Sequence, residues 1–317
     1  MKIFSVFFFT AVLAIFSAPA HAQVGSPIVR LDSALDSVAS TDAKLEKLND
    51  GSGLGTREGP VWVRKGGYLI YSVRGADKSI NKWTPGDNTF SVFQDKTDAD
   101  GITMDRQGRL VWAARFDAGG GQIVRLESDG RRTILAGDTA DEPLKRPNDL
   151  VYKSDGSLYF TDTDTNNRRV YLLRDGKVSL LTKDLPYANG LAFAPGEKYL
   201  YIDDSLKRTI TRFDVQPDGT ILNGRVMIDM GAGQDPCPFP CPAGYPDGMK
   251  VDQKGNMYST GPGGIWIISP DGKHLGTILV PDHPANLTFG DADGKTLYIT
   301  SRPGLYRIRL KIAGIRP

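Results

Sequence analysis

Six residues with oxygen-bearing side chains recur along the chain. They are Glu58, Asp100, Asn148, Asn189, Asp247 and Asn286, separated by 42, 48, 41, 58 and 39 positions. If they met in space, the carboxylates among them would repel one another and raise one another's pKa. A hard divalent cation resolves that conflict, because Ca²⁺ takes ~6–8 oxygen ligands from carboxylates, amide carbonyls and water. None of the three histidines, His21, His274 and His283, stands at these positions, which disfavours a His-rich zinc or copper centre. The competing explanation is local: Asp and Asn cap turns before glycine, and four of the six precede one. Turn chemistry accounts for any single pair. It accounts less well for a register shared by six segments.

Those segments are the elements that must position the oxygens. Each opens with its acidic or amide residue, continues as an apolar strand, turns through a polar stretch with Gly, and returns as a second strand rich in Tyr, Ile and Leu. They run from EGPVWVRKGGYLIYS at Glu58 to NLTFGDADGKTLYITS at Asn286. Third strands follow (INKWTP, QIVRLES, RVYLLRD, TITRFDV, GIWIISP, LYRIRL), and fourth strands follow in most. Repeats of about 40–50 residues with several strands each predict the blades of a propeller. The expected fold is therefore all-β, a six-bladed β-propeller with a metal site in its central channel; an irregular β-sandwich is the alternative. The inner strands would line the channel and place the six oxygens in one ring. Antiparallel second strands return to the same face, ending at Ser72, Ala114, Asp162, Asp204, Gly261 and Ser301. The wide 58-residue spacing reflects an insertion, GQDPCPFPCPAGYP, before Asp247. The last blade ends near Leu310, so its outer strand is expected from residues before Glu58, with LEKLND as the candidate.

The chain begins with Lys2, an apolar run over 3–16 and the small-x-small site Ala20-His21-Ala22. This has the form of a cleavable export signal, too short for a helix spanning ~30 Å of hydrocarbon. The expected organisation is a signal peptide at 1–22, an N-terminal segment at 23–54 supplying the closing strand, and the propeller at 55–312. Asp32 to Leu48 could hold a short helix or a linker. Lys plus Arg number 39 against 37 for Asp plus Glu. With the basic residues dispersed, nothing calls for nucleic acid. No later segment is apolar enough to span a membrane, so a soluble, periplasmic or secreted protein is expected. The oligomeric state is not written in the sequence.

EGPVW at Glu58, RPNDL at Arg146–Leu150, NGLAF at Asn189 and YPDGMKVD at Tyr245–Asp252 together resemble the gluconolactonase, SMP-30 and luciferin-regenerating-enzyme family. GNMYSTGPGGIWIISPDGKHLGTI and the closing LYRIRL are similar to its bacterial lactonase branch. The resemblance covers residues 55 to 310. It implies a six-bladed propeller with one divalent metal that hydrolyses aldonolactones. It further implies Glu58, Asn189 and Asp247 as metal ligands, with Ca²⁺ first and Zn²⁺, Mg²⁺ or Mn²⁺ as alternatives. Asn148 would bind metal-bound water or substrate, and Arg146 and Asp100 would join it as substrate-binding residues. Position 100 is Asp where the family often shows Asn, and the loop WAARFDAGGGQ departs from the usual pattern.

A cation at the axis would polarise a lactone carbonyl. Asp247 first, and Asp204 second, are the candidate general bases, with Arg146 and Asn148 orienting the small-molecule substrate. A structural role for Asp204 and Asp162, tying strand ends to backbone amides, is the competing reading. No G-x-S-x-G nucleophile elbow is present. Cys237 and Cys241, in CPFPC, read as a disulfide in an exported protein rather than a two-Cys metal site. The tryptophans are expected between blades, and Tyr187 and Tyr245 on loops beside the pocket. Another ester or phosphotriester hydrolase on the same metal, or a non-catalytic binding propeller, remains an alternative.

Overall fold

The computed structural model describes residues 26–49, 55–75, 77–137, 143–164, 168–233, 240–241 and 243–315. The expected signal peptide, Cys237 and the centre of the insertion lie outside these residues. Six antiparallel sheets form a six-bladed β-propeller. Blades 1 to 4 occupy 57–94, 99–136, 147–182 and 188–229, each with four strands paired in chain order from the axis outward. Blades 5 and 6 fall in 249–279 and 283–309. Each inner strand contacts the next around the ring, including that of blade 6 against that of blade 1.

The first described residues complete the last two blades. Leu45–Asn49 is the outer strand of blade 6, with Leu45 opposite Ile308. Ile28–Arg30 adds a fifth strand to blade 5, with Ile28 opposite Ile278, and the sequence offered no signal for it. Between them lies a single 3-10 turn, Ser33–Ser37, capped by Asp32 and burying Leu35.

Alternating side chains of a strand face opposite sides, and here both sides meet another blade. In Tyr68–Val73, residues Leu69, Tyr71 and Val73 face blade 6, whereas Ile70 faces blade 2. That is why these strands read as nearly continuous apolar runs. The core is divided into six clusters, one in each gap between neighbouring blades. In the gap between blades 6 and 1, Tyr298 stacks on Trp62 at 5.2 Å between ring centroids and lies 5.7 Å from Trp83. Trp112 fills the gap between blades 1 and 2, and Trp266 stacks on His274. Trp83 is fully buried and donates from Nε1 to Asn88 Oδ1 at 2.7 Å. We expect Trp83→Ala to cost about 3–5 kcal/mol, the range for removing a buried large aromatic, measured by denaturant unfolding; a loss below about 1 kcal/mol would show that this gap does not hold the ring closed.

Candidate functional site

Five of the six inner strands break register near the end that opens them; that of blade 5, Met249–Val251, pairs without a shift and Asp247 precedes it. The shift falls between Glu58 and Val61, Ala99 and Ile102, Pro147 and Leu150, Ala188 and Leu191, and Pro284 and Asn286. An extra residue at such a bulge re-aims a side chain. Asp100, Asn148 and Asn189 sit at these shifts, inside strands rather than turns, so turn capping does not explain them. Their glycines answer to crowding at the axis. A Cβ on Gly101 would lie 2.4 Å from the Asn148 carbonyl oxygen, and one on Gly190 2.1 Å from that of Asp247. Hydroxyls from the preceding blade pin the same points: Ser72 donates to the Asp100 carbonyl at 2.6 Å and Thr161 to that of Asn189 at 2.8 Å.

Five of the six expected oxygens line one cavity of about 330 Å³: Glu58, Asp100, Asn148, Asn189 and Asp247. Asn286 does not, which corrects the sequence reading by one residue. In blade 6 Pro284 pairs with Ser301 as Ala188 pairs with Asp204 in blade 4. The ring position is therefore Ala285, and Asn286 lies one step deeper, where its amide nitrogen reaches Asp149 at 3.5 Å.

At the centre, Asn189 Nδ2 donates to Asp247 Oδ1 at 2.6 Å and to Ser205 Oγ at 2.9 Å. Both amide hydrogens being used, Oδ1 is left buried without a hydrogen-bond partner. Arg302 of blade 6, beside the gap left by Ala285, places Nη2 2.8 Å from Asp247 Oδ2 and 3.3 Å from Glu58 Oε1. Its Nη1 donates to the Tyr245 hydroxyl at 2.9 Å. Burial, reinforced by Asp247 and Asp100, holds the Glu58 carboxyl well above the usual carboxylate range. Burial likewise raises Asp247, against the opposing pull of Arg302. Two buried carboxylates sharing one guanidinium are short of positive charge, and an amide oxygen beside them lacks a donor. Oxygen-only donors of this kind suit a hard cation, so Glu58, Asn189 and Asp247 fit one. Among the described residues no three His, Cys, Asp or Glu side chains group as a metal set; the third donor here is the amide.

Other expected roles do not survive the geometry. Asp204 is buried away from the cavity. Its Oδ2 accepts from Tyr187 N at 3.2 Å, and Oδ1 accepts from Leu206 N and Lys207 N at 3.0 and 2.9 Å. Held by backbone and absent from the cavity lining, it does not face water in the cavity. Asp162 holds the backbone N–H groups of Lys145, Arg146 and Asp164 in the same manner. Arg146 does not line the cavity. Arg74, Arg115 and Arg302 do, together with Tyr187, Tyr245, Thr56 and Pro240 of the insertion. Asp100 faces the cavity but is bound to Arg74 and, at 2.6 Å, to Arg115. Cys241 is buried beside the mouth.

The residues missed by the sequence reading share one place. Arg115 and Arg302 are the last residues of second strands, and Arg74 and Ser205 directly follow the ends of theirs; a search one position beyond Ala114, Asp204 and Ser301 would have found three of them.

Comparison with known proteins adds an independent line. The family described as SMP-30/gluconolactonase/LRE-like region matches residues 56–302. A gluconolactonase of Zymomonas mobilis is 29% identical over 327 residues, covering 90% of this chain and 87% of the relative. A 6-deoxy-6-sulfogluconolactonase of Pseudomonas putida is 30% identical, covering 77% and 82% respectively. Among solved structures, a gluconolactonase from Xanthomonas campestris superposes with a TM-score of 0.76 at 28% identity, covering 90% of this chain and 94% of that one.

Proposed function

The chain belongs to the SMP-30/gluconolactonase/LRE-like family, and from that premise we propose that it is a lactonase opening a sugar lactone of the gluconolactone type at a divalent cation held by Glu58, Asn189 and Asp247. Relatives named for lactone hydrolysis support the reaction class. The observation that carries the site is the orphaned, buried Oδ1 of Asn189 beside two carboxylates that share one guanidinium. Ca²⁺ is the ion this oxygen set favours.

When bound, such a cation supplies Lewis acidity toward the ester carbonyl and offsets charge developing on its oxygen. The chain's own residues do the rest. Asp247 takes a proton from the attacking water, and its hydrogen bonds from Asn189 and Arg302 hold the accepting carboxylate in place. Water adds to the acyl carbon, the ring C–O bond breaks, and the departing ring oxygen is protonated, leaving a hydroxy acid. Asn148, Tyr187 and Tyr245 present amide and phenol groups to the sugar hydroxyls, with Tyr245 oriented by Arg302. The cavity volume lies at the lower end of the range for small-ligand sites.

Acid release followed by pH-stat on gluconolactone, xylonolactone and an aryl lactone tests the reading. We expect turnover of a sugar lactone, a fall of at least about 100-fold after chelation, and recovery with Ca²⁺. Undiminished rates in a chelator would remove the cation from the reaction. Absence of turnover on every lactone would favour a binding propeller.

We also place the protein outside the cytoplasm, released after Ala22 and carrying a Cys237–Cys241 disulfide. The leader composition and the CPFPC spacing support this, and the closed loop would stiffen the mouth next to Pro240. Intact mass of the purified protein, before and after reduction, tests both points.

A further inference from the structure

The cavity wall is chemically lopsided. At the ends of the second strands, blades 6, 1 and 2 present Arg302, Arg74 and Arg115, whereas among the described residues blades 3 and 4 supply no arginine to the lining. Arg302 is engaged by Glu58, Asp247 and Tyr245. Arg74 and Arg115 are less occupied. Each gives only Nη1, and both give it to the same oxygen, Asp100 Oδ2. Their remaining guanidinium N–H groups meet no acceptor among the described residues, although the side chains are only 25% and 15% exposed. One carboxylate between two guanidiniums leaves one positive charge over. Across the whole lining, Glu58, Asp100 and Asp247 balance Arg74, Arg115 and Arg302, so a bound divalent cation leaves two charges uncompensated. A neutral sugar lactone does nothing for that excess. A substrate carrying an anion does, through charge-assisted hydrogen bonds of the kind guanidinium pairs make with carboxylates.

We propose that Arg74 and Arg115 form an anion subsite, and that the preferred substrate is a sugar lactone bearing a second, carboxylate group, an aldarolactone rather than an aldonolactone. This rests on the lactonase reading above and adds the substrate class. The lactone ester would sit toward Glu58, Asn189 and Asp247, and the free carboxylate toward blades 1 and 2.

The test compares glucarolactone with gluconolactone by pH-stat, and glucarate with gluconate by titration calorimetry on both chelated and Ca²⁺-loaded protein. We expect kcat/KM about ten- to hundredfold higher for glucarolactone, the range for hydrogen bonds to a charged group, and tighter binding of glucarate in both protein states. Arg115→Gln, with Arg74 still pairing Asp100, should collapse both ratios at least about tenfold, and Arg115→Lys should restore part of them. Circular dichroism confirms that the variants fold. Equal handling of both lactones, or a preference unmoved by Arg115→Gln, would overturn the subsite while leaving the lactonase intact. Arg115-dependent glucarate binding without turnover of any lactone would keep the subsite and overturn the lactonase reading.

Discussion

Asp247→Asn is expected to leave the propeller folded and to lower kcat/KM by about 10³-fold, within the range for loss of a positioned general base. The amide keeps the volume and its oxygen can still accept from Arg302, but its NH2 cannot accept from Asn189 and it cannot take a proton from water. Burial lifts the native carboxyl above its ordinary range. Without a cation, its ionised form therefore opposes folding, increasingly so as pH rises past the ordinary carboxylate range. The neutral variant is free of that cost, so chelated Asp247→Asn should melt at or above the chelated wild type. Added Ca²⁺ should raise the wild-type melting temperature, since a ligand bound only by the native state stabilises it, and should raise that of the variant far less. Steady-state rates and paired melting curves check both halves. A variant with wild-type turnover would take Asp247 out of the chemistry.

A chain beginning at Gly55 is expected not to fold cooperatively. It would lack Leu35 and Val38, both buried between blades 5 and 6, each worth about 2 kcal/mol. It would also lack the strand Leu45–Asn49, leaving Leu305–Arg309 as an open edge inviting aggregation. Against a typical total of about 5–15 kcal/mol, that loss is decisive. A chain beginning at Ala43 keeps the closing strand but not the outer strand of blade 5. It should fold cooperatively, with a melting temperature below that of the chain that keeps Ile28–Arg30. A cooperative, wild-type-like melt of the shorter chain would show that the ring closes without its N-terminal strands.

The ring of blades was legible because the repeat, the strand periodicity and the turns all agreed, and six segments in one register left little freedom. Glu58, Asn189 and Asp247 stood in the ring that the register implied, the family resemblance singled them out from its six members, and the structure brings them together. Asn286 misled because its segment opens one residue late: Pro284-Ala285-Asn286 fills the places of Ala188-Asn189-Gly190, and a one-residue offset in a strand turns a side chain to another face. Asp204 misled for a different reason. Its carboxylate satisfies backbone amides at the strand end, and its neighbour Ser205 instead touches Asn189. Arg74, Arg115 and Arg302 were passed over because an arginine at a strand end ordinarily points to solvent, although Arg115 and Arg302 stand one position beyond residues the register had reached. Only the three-dimensional closure brings Arg302 against Glu58, 244 positions away.

Ala285 has a consequence for how a guest molecule is seated. Six identical blades would offer a sugar ring six equivalent rotations about the channel axis, all but one of them unproductive. The methyl on blade 6 and the guanidiniums flanking Asp100 break that equivalence. The architecture is nearly sixfold but its interior chemistry is not, so the basis for stereochemical selection lies where the repeat fails to repeat.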